Sequence, residues 1–274
     1  MIDLGKTQKD YAFYLPAISS FYVKQLDKLQ KEGAPRVPAG LELGHEGMDF
    51  LKDKDTYYYY PWGLYSAGHA QLDLEKLDAD AMITNRDRSK TMILGDSGGF
   101  QIATGVIKMD WANAINPNDP EREKLVDKIL KWEEEQCDWA MTLDVPPFAA
   151  FPPFNKKTGL ETFEQTMTIS LYNLDYYMKN RTPGKCKFLN VMSGVDQPTC
   201  DEWYEKVKHF SDPKFCQEAY GNSELALEGY AFADLQKRNM RMALRRILKL
   251  REDGLLEGKG WIHFLGTGKL DWAC

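Results

Sequence analysis

The sequence lacks paired cysteines. It has five in 274 residues, with no C-x-x-C pair, and only four histidines accompany them. The cysteines are Cys137, Cys186, Cys200, Cys216 and Cys274. An odd, widely spaced set argues against a disulfide framework and against a zinc site in this chain. We therefore expect no metal and no other cofactor bound within these residues.

Long hydrophobic runs are also missing. No apolar run approaches the roughly 20 residues needed to cross a bilayer, and the N-terminal MIDLGKTQKDYAF has no continuous apolar core of the signal-peptide kind. The composition, 43% hydrophobic and 28% charged, is ordinary for a globular protein. We expect one domain spanning residues 1–274, cytoplasmic and without a membrane partner.

An excess of positive charge is absent as well. The formal net charge of −6 gives no global electrostatic footprint for nucleic acid. A local exception is KRNMRMALRRILKLR, residues 237–251, a helical pattern with Leu244, Ile247 and Leu248 as its predicted apolar stripe. It is either a solvated helix face or a phosphate-contacting surface. The predicted phosphate contacts are Lys237, Arg238, Arg241 and Arg245.

What the sequence does contain is a regular alternation of strand-like and helix-like segments. The predicted strands are 12–19, 78–84, 91–99, 137–145, 187–194, 225–233 and 261–268, and the predicted helices are 21–33, 120–136, 162–180, 199–210 and 237–251. Such alternation predicts right-handed βα units around a parallel sheet.

A (β/α)8 TIM-type barrel and an open doubly wound sheet both fit this order. The first strand is not followed by G-x-G-x-x-G, the fingerprint of a doubly wound dinucleotide-binding domain, so the barrel is favoured. Seven strands are predicted, and the chain ends where a further helix should begin. The sequence therefore predicts an α/β barrel lacking its last βα unit, because the chain is truncated or completed by a second polypeptide.

Two acids follow neighbouring predicted strands. In ILGDSGGFQIATG, residues 93–105, an apolar run ends in Asp96, a serine and two glycines, and Asp144 follows the next strand. Barrel active sites are built at the carboxyl ends of strands. Paired carboxylates there can act as acid–base groups, or can accept hydrogen bonds from the N–H edge of a purine. The alternative is that each aspartate only caps the following turn or helix.

Four segments carry a resemblance to a known family. DSGGFQ (96–101) resembles the signature of the tRNA-guanine transglycosylases, barrel enzymes that exchange guanine in a polynucleotide for a 7-deazaguanine. MTLDVP (141–146), EGYAFADL (228–235) and FLGTGKLDW (264–272) are similar to further segments of that family, in the same order.

The resemblance implies roles for the matching positions. Asp96 would handle protons and contact the base, and Asp144 would accept hydrogen bonds from N1–H and the amino group of guanine. The other positions implied for the base pocket are Ser97, Gly98, Gly99, Gln101, Ser193, Gly194, Asp234, Leu235 and Leu265. Phe100 is interpreted as barrel packing, with stacking as the alternative.

The sequence also departs from the family. Ser193 stands where the family has a glutamine that reads the base carbonyl, and Ala233 and Asp234 replace paired glycines. The cysteine and histidine ligands of the family's zinc site are absent. The family's nucleophilic aspartate would lie beyond Cys274. A different acid serving as nucleophile is the alternative, but Asp271 lies too close to the start of the next helix to replace it, so the nucleophile is unidentified.

The segments SGGFQIATG, FLNV and LDVPP resemble the phage and bacterial branch that modifies DNA more closely than the tRNA enzymes. The absence of the zinc motif points the same way. The resemblance therefore implies a transglycosylase that replaces guanine in DNA by a base such as preQ0 through a covalent glycosyl-enzyme. Its expected partners are DNA, the 7-deazaguanine base, and a homodimer or second polypeptide. A phage-encoded enzyme would work in the host cytoplasm, where the modification would protect DNA from nucleases.

Three alternatives remain at this point. The first is a tRNA-guanine transglycosylase of the queuosine or archaeosine type, with tRNA as the partner. The second is a non-catalytic base-binding subunit, and the third is an unrelated barrel hydrolase with two acids. For a DNA enzyme, which must flip its base out of the duplex, the aromatic cluster Tyr57–Tyr60 with Trp62 is a candidate for replacing the lost stacking. Packing beneath the N-terminal layer of the barrel is the other interpretation.

Overall fold

A parallel sheet of six strands forms the centre of the protein. The computed structural model describes residues 14–19, 22, 26, 40, 42–44, 46–67, 81–234 and 239–266. The strands are β1 (Trp62–Ser66), β2 (Met92–Asp96), β3 (Trp139–Met141), β4 (Lys187–Met192), β5 (Gly229–Phe232) and β6 (Trp261–Phe264). They pair in sequence order, and every neighbouring pair is parallel. A further parallel bridge joins Ala17 to Leu64 of β1.

Helices connect these strands. The α-helices are α1 (Ala81–Thr84), α2 (Gly99–Ala103), α3 (Pro120–Gln136), α4 (Asn155–Thr158), α5 (Phe163–Asn180), α6 (Gln197–Val207), α7 (Pro213–Tyr220) and α8 (Met240–Glu252). Short 3-10 helices cover Glu46–Met48, Asn113–Ile115, Pro147–Ala150, Lys208–Ser211 and Ser223–Leu225. None of the helices in the described ranges is long and apolar enough to cross a membrane.

Local sequence explains where the long helices begin. Asp119 accepts a hydrogen bond from the backbone N–H of Arg122, and Pro120 occupies the first turn of α3. Thr162 and Gln165 form a reciprocal capping box at the start of α5. The helices predicted at 120–136 and 162–180 are thereby confirmed.

One predicted strand is wrong, and one observed strand was not predicted. The prediction of a strand over 78–84 is wrong, because Ala81–Thr84 is helical. The strand Trp62–Ser66 was missed, since it directly follows the aromatic run YYYYP and has no clear strand boundary before it. The predicted first helix, 21–33, lies almost entirely outside the described residues.

The sheet is curled. β3 and β6 are separated by three strand spacings, about 14 Å in a flat sheet, yet the rings of Trp139 and Trp261 lie 5.4 Å apart between centroids. They belong to an interior cluster on the concave face. Its buried members are Leu15, Met92, Leu94, Trp139, Met141, Leu189, Val191, Ala231, Ala233 and Trp261.

The convex face of the sheet packs against the helices in a second, larger core. Because both faces are covered, the strands read as continuous apolar runs. The result is an α/β fold with a curled, six-stranded parallel half-barrel flanked by helices. This is compatible with part of a TIM-type barrel, and the prediction of a barrel with eight units stays a prediction.

Candidate functional site

Asp96 is the last residue of β2 and faces the concave side of the sheet. It follows Leu94 of the interior cluster by two residues, and alternate residues of a strand share a face. Ser66, at the end of β1, is its register partner, and the N–H of Ala67 donates to the carbonyl oxygen of Asp96 at 2.8 Å. Ser66 is thus a site residue that sequence analysis missed along with its strand.

The turn after β2 is built from two glycines with different tasks. Gly98 adopts a left-handed conformation, φ 96°, just before α2. Gly99 lies directly against Asp144: a Cβ added there would be 2.9 Å from both the carbonyl oxygen and Oδ1 of Asp144. The glycine pair therefore brings the segment following Asp96 into contact with the second predicted acid.

Two buried polar side chains flank this turn. The hydroxyl of Ser97 donates to the carbonyl oxygen of Thr142 at 3.3 Å, which ties the ends of β2 and β3 together. Gln101 is buried on α2, and its Oε1 accepts no hydrogen bond from any described residue. A buried acceptor without a donor costs about 1–3 kcal/mol, so this oxygen is available to accept a hydrogen bond from a group that enters the site.

The ends of β4 and β5 are joined by a buried polar pair. The hydroxyl of Ser193 donates to Oδ2 of Asp234 at 2.8 Å, and both residues are buried. Asp234 has φ 48°, in the left-handed region that a residue with a side chain seldom adopts. Gly194 has φ 135° and leaves no room for a side chain, because a Cβ would lie 2.6 Å from the backbone nitrogen of Cys200.

Two predicted pocket residues remain, and only one of them lies within the described residues. Leu265 packs against the interior cluster just beyond β6, and its N–H donates to the carbonyl oxygen of Phe232 at 3.0 Å. Leu235 lies outside the described residues. The structure thus brings the other ten predicted pocket positions, from Asp96 to Leu265, to one edge of the sheet, where the strands end.

The aromatic cluster 57–60 lies at the opposite edge. It precedes β1, so it sits at the amino ends of the strands. Tyr58 stacks on Phe50 with ring centroids 5.7 Å apart, and Tyr60 meets Trp62 edge-on at 5.3 Å. These contacts fit the packing interpretation. Tyr58 and Tyr59 are nevertheless 52% and 42% exposed. The cluster lies at the end of the sheet opposite the predicted acids, so the structure gives no support to a role beside them, and the stacking hypothesis stays a prediction.

Phe100 also differs from its prediction. Its ring is 60% exposed, whereas Gly99, Gln101, Ile102 and Ala103 around it on α2 are buried. The interpretation of Phe100 as barrel packing is therefore wrong. It projects from the rim of the site toward solvent.

The predicted apolar stripe of the basic helix is wrong at two of its three positions, whereas Ile247 is half-buried against the larger core. Leu244 and Leu248 are 53% and 45% exposed, and Arg246 is buried in their place. Burial of Arg246 is possible because its guanidinium donates to Asp201 at 2.8 Å and to the carbonyl oxygen of Cys200 at 2.9 Å, and lies 4.1 Å from the ring centroid of Tyr204.

Two of the four predicted phosphate contacts lie within the described residues of this helix. Arg241 is exposed, and Arg245 is exposed but pairs with Asp201 at 2.9 Å. Lys237 and Arg238 lie outside the described residues, and α8 begins after them at Met240, capped by the side chain of Asn239. The solvated-face and phosphate-contact interpretations both remain predictions.

A buried acid of α3 lies behind the site. Glu133 of α3 is fully buried, and burial raises the pKa of its carboxyl group well above the ordinary value, with the charge of Asp96 adding to the rise. The hydroxyl of Tyr177 donates to Glu133 at 2.6 Å. Burial and the charge of Asp96 thus both disfavour the ionised form of Glu133.

Within the described parts of the chain, no group of three or more histidine, cysteine, aspartate or glutamate side chains is arranged to hold a metal ion.

Comparisons with protein-family models, with curated proteins and with solved structures found no match in any of the three.

The contact between Gly99 and Asp144 gives a prediction. Gly99→Ala places a methyl group 2.9 Å from two oxygens of Asp144, and we expect the overpacking to lower the free energy of unfolding by about 1–3 kcal/mol. Urea unfolding measures this. A change below about 0.5 kcal/mol would show that the turn and Asp144 are not in close contact.

Two adjacent arginines of α8 give a matched second prediction. Arg246→Ala removes a buried hydrogen-bonded guanidinium and its ring contact, so we expect a loss of about 3 kcal/mol. Arg245→Ala removes an exposed ion pair to the same aspartate and should cost less than about 1 kcal/mol. Equal losses in urea unfolding would contradict the assignment of Arg246 to the core.

Proposed function

We propose that this protein is a base-exchanging transglycosylase that replaces guanine in DNA by a 7-deazaguanine. The observation that carries the proposal is the contact between the glycine turn after Asp96 and the side chain of Asp144. It brings two acids, predicted separately from sequence, to one edge of a half-barrel. The resemblance of DSGGFQ and the three later segments supplies the reaction class.

Asp144 suits recognition of guanine. The Watson–Crick edge of guanine presents N1–H and an exocyclic amino group side by side, and an ionised carboxylate accepts one hydrogen bond on each oxygen. The Oε1 of Gln101, buried and without a donor in the described structure, would accept a further N–H from the base. Adenine lacks the N1–H donor, so this arrangement would select against it.

The reaction proposed is a double displacement at C1′ of the deoxyribose. In the first step a carboxylate oxygen bonds to C1′ while the C1′–N9 bond breaks, and guanine leaves with a proton supplied at the site. In the second step the 7-deazaguanine attacks C1′, loses its N9 proton and releases the carboxylate. Asp96 is assigned the proton transfers, and no residue is assigned as the nucleophile.

The choice of DNA over tRNA rests on the resemblance alone. A second candidate function, a base-binding subunit without turnover, is favoured by one specific feature. Asp144 and Gln101 provide the acceptors that base binding needs, whereas the proposed exchange also needs a nucleophile that we have not assigned.

Incubation with nucleic acid tests the proposal. The purified chain is mixed with a 7-deazaguanine base and either duplex DNA or unmodified tRNA, and the digested products are analysed by mass spectrometry. We expect the modified nucleoside in DNA only. Asp96→Ala should abolish it, while Asp53→Ala, which removes an exposed acid paired with Lys90, should leave it unchanged.

The other outcomes are equally informative. Modification of tRNA only would overturn the choice of substrate and keep the reaction. Modification of neither, together with base binding that Asp144→Ala abolishes, would overturn turnover by this chain and establish the base-binding subunit. Release of guanine without insertion of another base would instead indicate a hydrolase.

A further inference from the structure

Three short elements form a projecting rim beside the site. α2, the 3-10 helix Pro147–Ala150 and α4 contact one another, and they follow the carboxyl ends of β2 and β3. Their phenylalanine rings are in contact: Phe100 lies 6.2 Å from Phe148, and Phe148 lies 5.2 Å from Phe154, between ring centroids. We call Phe100, Phe148, Phe151 and Phe154, with Lys156 and Lys157, the phenylalanine rim.

Two rings of the rim are open to solvent. Phe100 is 60% exposed and Phe151 is 39% exposed. Phe148 and Phe154 are half-buried, and the ring of Phe148 contacts that of Phe100. Exposed phenylalanines grouped at one edge of a site are costly unless something covers them, and they mark a binding surface.

The rim also carries unneutralised positive charge. Lys156 and Lys157 are exposed on α4, and neither forms a salt bridge within the described chain. The side chain of Lys157 lies over Gly105, and its ammonium group donates to the carbonyl oxygen of Thr104 at 3.0 Å. This contact holds a cation close to the end of α2, the helix that carries Phe100.

We propose that the phenylalanine rim binds the unpaired strand of nucleic acid that leads into the site. Exposed rings stack on bases next to the exchanged one, and the two lysines hold the phosphates between them. The assignment of this strand rests on the proposed function. It is supported by position, because Phe100 directly follows Gly99, which lies against Asp144.

Charge distinguishes this occupant from a second copy of the chain. Two copies joined through the same rim about a twofold axis would bring lysines against lysines. A phosphodiester strand, in contrast, complements both the aromatic and the cationic parts of the rim.

Binding of a fluorescent single-stranded oligodeoxynucleotide, followed by anisotropy with no exchange base present, tests the proposal. Phe100→Ala and Phe151→Ala should each weaken binding by about 5- to 150-fold, the range for losing one stacked base. In a salt titration, K156A/K157A should reduce the slope of log K against log salt by about 1.4, because each phosphate contact contributes about 0.7 for a single strand.

Matched controls separate the rim from surface effects in general. K206A/K214A removes two exposed lysines from α6 and α7, and Tyr59→Ala removes an exposed ring at the amino ends of the strands. We expect both to bind the strand within twofold of the wild type. Circular dichroism confirms that every variant is folded, which the exposure of the altered side chains leads us to expect.

A second measurement separates this proposal from the proposed function. Calorimetry with a free 7-deazaguanine base should show unchanged affinity for Phe151→Ala and K156A/K157A, and lost affinity for Asp144→Ala. Loss of strand binding in the rim variants supports the strand-binding proposal even if neither the wild type nor any variant binds the base. Absence of base binding would contradict only the proposed exchange reaction. Unchanged strand binding in all rim variants overturns the rim, as does a change confined to self-association in sedimentation.

Discussion

The contact between Trp139 and Trp261 shows the constraint on which the rest of the structure depends. Two strands that are three places apart can share one apolar cluster only if the sheet curls. Curling turns the concave face inward and directs the carboxyl ends of neighbouring strands toward a common centre. This curvature places four polar side chains from different segments of the chain along one edge of the sheet: Asp96, Asp144, Ser193 and Asp234.

Along that edge, the turn between β2 and α2 determines how closely the segments that carry Asp96 and Asp144 approach each other. A serine hydroxyl fixes the turn to the end of β3, and the absent side chain of Gly99 lets it lie on Asp144. Any residue larger than glycine would push the two segments apart. The DSGG sequence is thus a packing requirement between strand ends in addition to a source of polar groups.

Sequence reasoning succeeded where local rules decide. The α3 and α5 helices follow from their caps and periodicity, and the acids at the ends of strands follow from the alternation of βα units. It failed where tertiary partners override pattern. Arg246 takes a core position because Asp201 and Tyr204 neutralise and cover it, and Ala81–Thr84 is helical although its residues also suit a strand. No local rule could have shown that Phe100 points outward or that Ser193 bonds to Asp234.

Under the proposed function, the arrangement of charge around the site would separate the parts of a nucleic acid. Asp96, Asp144 and Asp234 make the concave edge acidic, so a phosphate group is repelled from it, whereas a neutral base with several N–H donors is attracted. The lysines of the phenylalanine rim lie outside this acidic edge and attract the phosphates there. A strand bound as proposed would therefore gain most when its backbone stays on the phenylalanine rim and a single base enters among the carboxylates.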